Sequence, residues 1–214
     1  MTWKLFSLLL EASLMTLLVS SISILVGLGI AIVLSGMRMS GNRALFAITG
    51  VFISFFRGVP LLVQLLLIYN LLPVLGLTLP SLATAIIGLS LCTAAYQAEN
   101  LRGGFEGVPK GLVESAEMAG FSPVQTFIHI RTPIALRMTF PALVNEAILI
   151  LKSSSLVSAI GLIELTKMAQ NLAASTYMPL PIFASAGVIY LAINLVVAWL
   201  GRRAENALPG LPTK

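Results

Sequence analysis

The chain has 214 residues, 57% of them hydrophobic and only 10% charged, with a net charge of +5 and a mean hydropathy of +0.98. Soluble domains carry roughly a quarter charged residues, so composition excludes an ordinary soluble fold and points to an all-α polytopic membrane protein. The net positive charge does not indicate a nucleic-acid partner, because the cations cluster at the ends of apolar runs, where they report topology. The single cysteine, Cys92, sits in an apolar run and reads as a small core hydrophobe.

Five spans are expected. Residues 12–37 carry no charge and exceed the roughly 20 residues that cross a hydrocarbon core. Glu11 and the length of this run fit a retained span rather than a cleaved signal peptide. Arg38 and Arg43 form a short polar link. Residues 44–72 make a second span, interrupted by Arg57. A charge there is costly unless it is paired or faces a cavity. Arg57 therefore reads either as functional or as a clamp on backbone carbonyls at a bend, and Gly58 and Pro60 support a broken helix. Pro73 and Pro80 bound a turn with Gly76 inside it. A third span covers residues 81–99. The fourth, over 134–165, is interrupted by Glu146, Lys152 and the run Ser153-Ser154-Ser155, and the fifth covers 181–201, ending at Arg202-Arg203.

An odd number of spans puts the termini on opposite sides. With the N-terminus outside, the inner segments hold Arg38, Arg43, Arg102, Lys110, Arg131, Arg137, Arg202, Arg203 and Lys214, against Lys4 and Lys167 outside. That asymmetry places the polar segment 102–133 and the C-terminus in the cytoplasm. No linker is long enough to separate domains, so residues 1–214 read as a single transmembrane domain.

The segment 102–133 is polar and helix-forming. A first short helix over 109–119 has glutamates and a lysine on one face and Leu112, Val113, Ala116 and Ala119 on the other. Gly120 follows where a left-handed stop is wanted. Ser122 caps a second short helix with Pro123 at its first position and Gln125 completing a capping box. Such a rigid knob suits docking against a soluble partner. The chain has no Gly-Lys dipeptide and hence no Walker A loop, no aspartate, and one histidine, His129. No catalytic residue or metal site is expected, and any energy source lies on another chain.

The order Glu114-Ser115-Ala116, three residues, Gly120, nine residues, Ile130, two residues, Pro133 resembles the EAA loop of permease subunits of bacterial ABC importers. Ser115 stands for an alanine and Thr132 for a leucine of that motif. Phe55-Phe56-Arg57-Gly58-Val59-Pro60-Leu61-Leu62-Val63-Gln64 is similar to the FRGTPLLVQ stretch of the polar amino-acid branch, which handles histidine, glutamine, glutamate and arginine. Tyr96-Gln97-Ala98-Glu99-Asn100-Leu101-Arg102-Gly103-Gly104 and Lys152-Ser153-Ser154-Ser155-Leu156-Val157 resemble two further segments of that branch, with Ser153 where aspartate is usual.

The resemblance implies a five-helix bundle of the type I importer permease fold in the bacterial inner membrane. It implies alternating access driven by two ABC ATPase subunits, which bind ATP and Mg, so that no cofactor sits on this chain. It also implies a second permease subunit, identical or homologous, and an extracytoplasmic solute-binding protein. Glu114, Ser115, Ala116, Gly120, Ile130 and Pro133 would dock the ATPase.

Candidates for the solute pathway are Arg57, Gln64, Asn145, Glu146, Lys152, Ser153 and Ser154. A zwitterionic amino acid needs a cation for its carboxylate and an anion or carbonyls for its ammonium. Glu146 and Lys152 lie six apart and face differently on a straight helix, so each needs another partner or a cavity. Alternatively, they pair with neighbouring helices to lock the bundle. Glu99 and Arg102, three apart, read as a local pair with a gating or structural role, and Gly103-Gly104 as the turn into the docking segment. An acid in a span slightly favours a basic amino acid as cargo. A permease for another solute, such as methionine, an opine or an inorganic anion, and a passive channel or scaffold remain as alternatives.

Overall fold

The computed structural model describes residues 3–207, all helical apart from short links; Lys214, counted above among the inner cations, lies outside the described residues. Helix α1 (Trp3–Met39) is followed by α2 (Arg43–Gly58), α3 (Leu61–Val74) and α4 (Ser81–Glu106). The short helices α5 (Lys110–Met118) and α6 (Pro123–Thr126) come next, and a π-helical turn, Phe127–Arg131, joins α6 to α7 (Thr132–Ser153). A 3₁₀ segment, Ser154–Ile160, leads to α8 (Leu165–Thr176) and α9 (Pro179–Ala207).

Four of these stretches are long and apolar enough to cross a membrane: Trp3–Met39, Ser81–Glu106, Pro123–Ile160 and Pro179–Ala207. Helices α2 and α3 qualify only as a pair, bent by 107° at Val59-Pro60. Counting that pair as one crossing gives the five expected. The second crossing is thus broken where Gly58 and Pro60 predicted it, since proline cannot donate into the ladder and disfavours helix in the residue before it.

The bundle is organised around α1 and α4, which share the most extensive packing. Ser23 of α1 donates to the Ile86 carbonyl of α4, Gly27 lies against Ser90, Thr93 and Ala94, and Ala31 clusters with Ala94 and Ala98. Small residues let two backbones approach closely in a setting where the hydrophobic effect offers no drive between helices. Val19, Leu65, Leu89 and Ile150 fill one end of the core, and Leu34, Ile53, Leu101 and Phe105 the other.

Three boundaries differ from the sequence expectation. Gly103 and Gly104 do not turn the chain. They lie inside α4, which continues to Glu106. Gly104 is needed for another reason: a Cβ there would lie 2.8 Å from the Ala135 carbonyl and 2.6 Å from Thr139 Cγ2 of α7. The second docking helix is not a separate short element, because α6, the π turn and α7 form one helical stretch running from the knob into the membrane. The fourth span stops at Ile160 rather than 165. Gly161, at φ +81°, ends it, and α8 starts a separate helix too short to cross.

Candidate functional site

The break between α2 and α3 builds the first site. Ending α2 at Gly58 frees carbonyls that would be costly unpaired within a membrane. Gln64, only 2% exposed, donates from Nε2 to the carbonyls of Phe56 at 2.9 Å and Val59 at 2.7 Å. Gln64 therefore stands behind the break and holds it open, and its side chain does not line the space in front. That space is a cleft of about 430 Å³, lined by residues of the break together with Tyr96, Cys92, Glu146 and Ser153. Arg57 and Glu146 both line it, and the Arg57 charge acts on the Glu146 carboxylate. Arg57 also packs over the Tyr96 ring, 5.4 Å from its centroid.

The remaining pathway candidates are elsewhere on α7 and its extension. Glu146 is buried, whereas Asn145 and Lys152, seven residues apart and so on one helical face, are exposed on the outside of this chain. Glu146 and Lys152 do point to different sides, as their spacing required. Ser154 is fully buried, and its hydroxyl donates to the Leu151 carbonyl at 2.7 Å, helping α7 pass into the 3₁₀ segment.

A second polar cluster surrounds Glu99. Its Oε1 accepts from Arg38 Nη1 of α1 at 2.6 Å. Its Oε2 accepts from Arg102 Nε at 3.1 Å and lies 3.9 Å from Arg57 Nη1. Arg102 in turn donates to Glu106 at 2.7 Å. The expected Glu99–Arg102 pair forms, but it is part of a node that ties α1, α2 and α4 together. Arg38, sixty-one residues from Glu99 in sequence, was not legible as a partner because no local spacing brings them together.

In the polar segment 102–133, the stop at Gly120 and the cap at Ser122 have the geometry their sequence implied. Gly120 is at φ +82°. Its N–H donates to Glu117 O at 3.0 Å, and the Phe121 N–H donates to Ala116 O at 3.0 Å, which is the paired-bond form of a left-handed helix stop. Ser122 Oγ accepts from Gln125 N–H while Gln125 Oε1 accepts from Ser122 N–H, closing the capping box. Glu114 and Ser115 are exposed and Ala116 is buried. Ile130 lies in the π turn, Pro133 at the start of α7, and His129 Nδ1 lies 3.0 Å from the Gln125 carbonyl. Met118 (90% exposed), Val124 (66%) and Phe121 (41%) crown the knob. An apolar tip on the polar end of a membrane protein calls for a protein partner.

One buried acid escaped the sequence reading. Glu164 is 0% exposed and caps α8, accepting from Thr166 N–H and Lys167 N–H, each at 2.8 Å. The Tyr190 hydroxyl of α9 donates to it at 2.9 Å, and Thr16 of α1 at 3.4 Å. Glutamate is not among the favoured N-caps, so nothing local flagged it. With four donors satisfied it fastens α1, α8 and α9 together. Among the described residues no cluster of His, Cys, Asp or Glu could hold a metal ion.

Residues 8–208 match the family described as binding-protein-dependent transport system inner membrane component. The chain belongs to this family. It is 39% identical to the nopaline transport system permease protein of Agrobacterium fabrum, over 94% of this chain and 87% of that one. It is 33% identical to the glutamine transport system permease protein of Escherichia coli K12, covering 96% and 95%. The solved structure of an amino acid ABC transporter with histidines superposes with a TM-score of 0.84 at 31% identity, covering 94% of both chains. The protein is therefore a multi-pass inner-membrane permease of the polar amino-acid type of ABC importer, and not itself an ATPase.

Proposed function

We propose that this permease moves a basic amino acid across the inner membrane by alternating access, through the cleft beside the α2–α3 break. The observation that carries this reading is Arg57 and Glu146 lining one cavity. A guanidinium can hold the α-carboxylate, and a carboxylate favours an ammonium or a cationic side chain. The names of relatives add support: those for arginine in Bacillus subtilis and for histidine, lysine, arginine and ornithine in E. coli are 34% and 35% identical. A second reading, an opine as cargo, is favoured by the relatives named for nopaline and octopine, at 39% and 40% identity.

The N-terminus lies outside and the docking segment in the cytoplasm, in keeping with the positive-inside bias. The chain acts as one transmembrane unit. Two ATPase subunits, which carry ATP and Mg, receive the knobs of two permease subunits, this chain and an identical or homologous partner. A binding protein delivers the solute from outside. The exposed Asn145 and Lys152 belong on the face towards the second permease subunit, since a lysine within a span cannot face lipid cheaply. Closure of the ATPases on ATP draws the knobs together, and the rigid link from α6 into α7 carries that motion to Glu146. The permease supplies no bond-breaking chemistry; it links a shift between two states to differential solute access.

Labelling tests the orientation on which the assembly depends. In a Cys92→Ser background, single cysteines replacing Lys4 or Leu77 are expected to react with a membrane-impermeant maleimide on intact cells. A cysteine replacing Lys110 is expected to react only after the membrane is opened. The opposite pattern would put the knob on the wrong side for an ATPase and defeat the proposal.

A further inference from the structure

The cleft is not the only cavity in the bundle. A larger one, about 610 Å³, opens towards the end that carries Arg38, Arg102 and Arg131, and it includes Glu99 and Glu106 in its lining. Arg57 lines the first cavity and Glu99 the second, so their 3.9 Å ion pair links one lining to the other. Tyr96, one turn before Glu99 on α4, lies beneath the Arg57 guanidinium. The polar groups of both cavities are thus joined through one side chain.

The three cations around Glu99 are not equivalent. Arg38 and Arg102 bind it at 2.6 and 3.1 Å, and Arg102 is held in addition by Glu106. Arg57 is the distant member, its side chain 45% exposed, on a helix that stops one residue later. Glu99 remains neutralised when Arg57 leaves, so departure of Arg57 orphans no buried anion and carries a small penalty. A solute carboxylate entering the cleft offers Arg57 a second anion in bidentate geometry.

We propose that Arg57 is the inner latch of the pathway, bound to Glu99 while the cleft is empty and drawn off it by the carboxylate of the solute. The latch rests on the cleft being the solute site. It makes opening towards the cytoplasm depend on occupancy: an empty cleft keeps α2 tied to α4 across the junction, and a filled one releases it. Specificity follows from the same geometry, because an amine lacking a carboxylate cannot compete with Glu99 for the guanidinium.

The test uses the full transporter in proteoliposomes preloaded with radiolabelled arginine, without ATP or binding protein. Glu99→Gln removes the latch partner while keeping its shape. Passive efflux is expected to rise roughly tenfold, because the change removes the charge that holds Arg57 together with those that hold Arg38 and Arg102. Efflux at the wild-type rate from a correctly assembled Glu99→Gln complex would overturn the latch. Should that variant not assemble, Glu99→Asp keeps the charge beside Arg38 and Arg102 and shortens its reach towards the more distant Arg57. Efflux is expected to rise in the same direction, and efflux at the wild-type rate from Glu99→Asp would overturn the proposal equally. Glu146→Gln, run alongside, separates the latch from the site on which it rests. It should lose solute affinity without gaining a leak, whereas unchanged affinity there would count against the cleft and not against the Glu99 contact.

Discussion

A Gly120→Val variant is expected to insert and assemble its membrane helices normally, yet lose ATP-driven uptake by at least about tenfold. The residue sits at φ +82°, where a side chain with a branched Cβ is strained; forcing it there costs about 1–2 kcal/mol even for an ordinary L-residue. The strain is local but its consequence is not. The two hydrogen bonds that close the turn, Gly120 N–H to Glu117 O and Phe121 N–H to Ala116 O, set the angle between α5 and the long stretch that begins at Pro123. Opening that turn tilts Met118 and Phe121 away from the surface they present together. Nothing in the bundle core touches Gly120, which has no heavy atom within 4 Å of where its Cβ would be, so membrane insertion should be spared. The readouts are uptake and solute-stimulated ATP hydrolysis by the assembled complex, with its yield as control. Full stimulation of hydrolysis in Gly120→Val would show that the knob does not transmit the ATPase stroke.

Replacing Glu146 by glutamine is expected to weaken uptake of a cationic amino acid by about tenfold or more, the scale of one charge-assisted hydrogen bond lost in a water-poor site. The complex should keep its ATPase, because the docking segment is untouched. Glutamine retains the shape and the hydrogen-bonding reach of the acid but not its charge. A purely structural Glu146 predicts a different result. Removing the charge would leave the Arg57 guanidinium without one of its counter-charges, and the yield of folded complex would drop instead. Arg57 retains Glu99 within 3.9 Å, which argues for the milder outcome. Normal yield with unchanged uptake would eliminate both roles.

Features whose causes are local were readable from the sequence. The capping box at Ser122 and Gln125, the left-handed stop at Gly120 and the break at Gly58 and Pro60 each depend on a few adjacent residues with fixed backbone preferences, and all appear in the structure. Features that depend on what lies across the bundle were not. Gly103-Gly104 looked like a turn because glycine usually marks one, but Gly104 is flat so that α7 can pass close to α4. The continuation of the second docking helix through a π turn into α7 was hidden by Pro133, whose position at a helix start usually marks a new element; the π turn takes up the change instead. Gln64 was legible as a polar residue in a span, but whether it faced the pathway or the broken backbone depended on the fold of α3 over α2. Glu164 meets Thr16 from 148 residues away and Arg38 meets Glu99 from 61, beyond any periodicity argument.

The central claim is that this permease accepts a basic amino acid in the cleft between Arg57 and Glu146 and moves it only when an ATPase acts on the knob. Reconstituted with its ATPase subunits and binding protein, the wild-type protein should accumulate radiolabelled arginine, histidine or lysine in proteoliposomes strictly with ATP. Excess of another basic amino acid should compete, and excess glutamate should not. Accumulation of glutamate under the same conditions, or flux of a basic amino acid that proceeds equally well without ATP, would contradict the account.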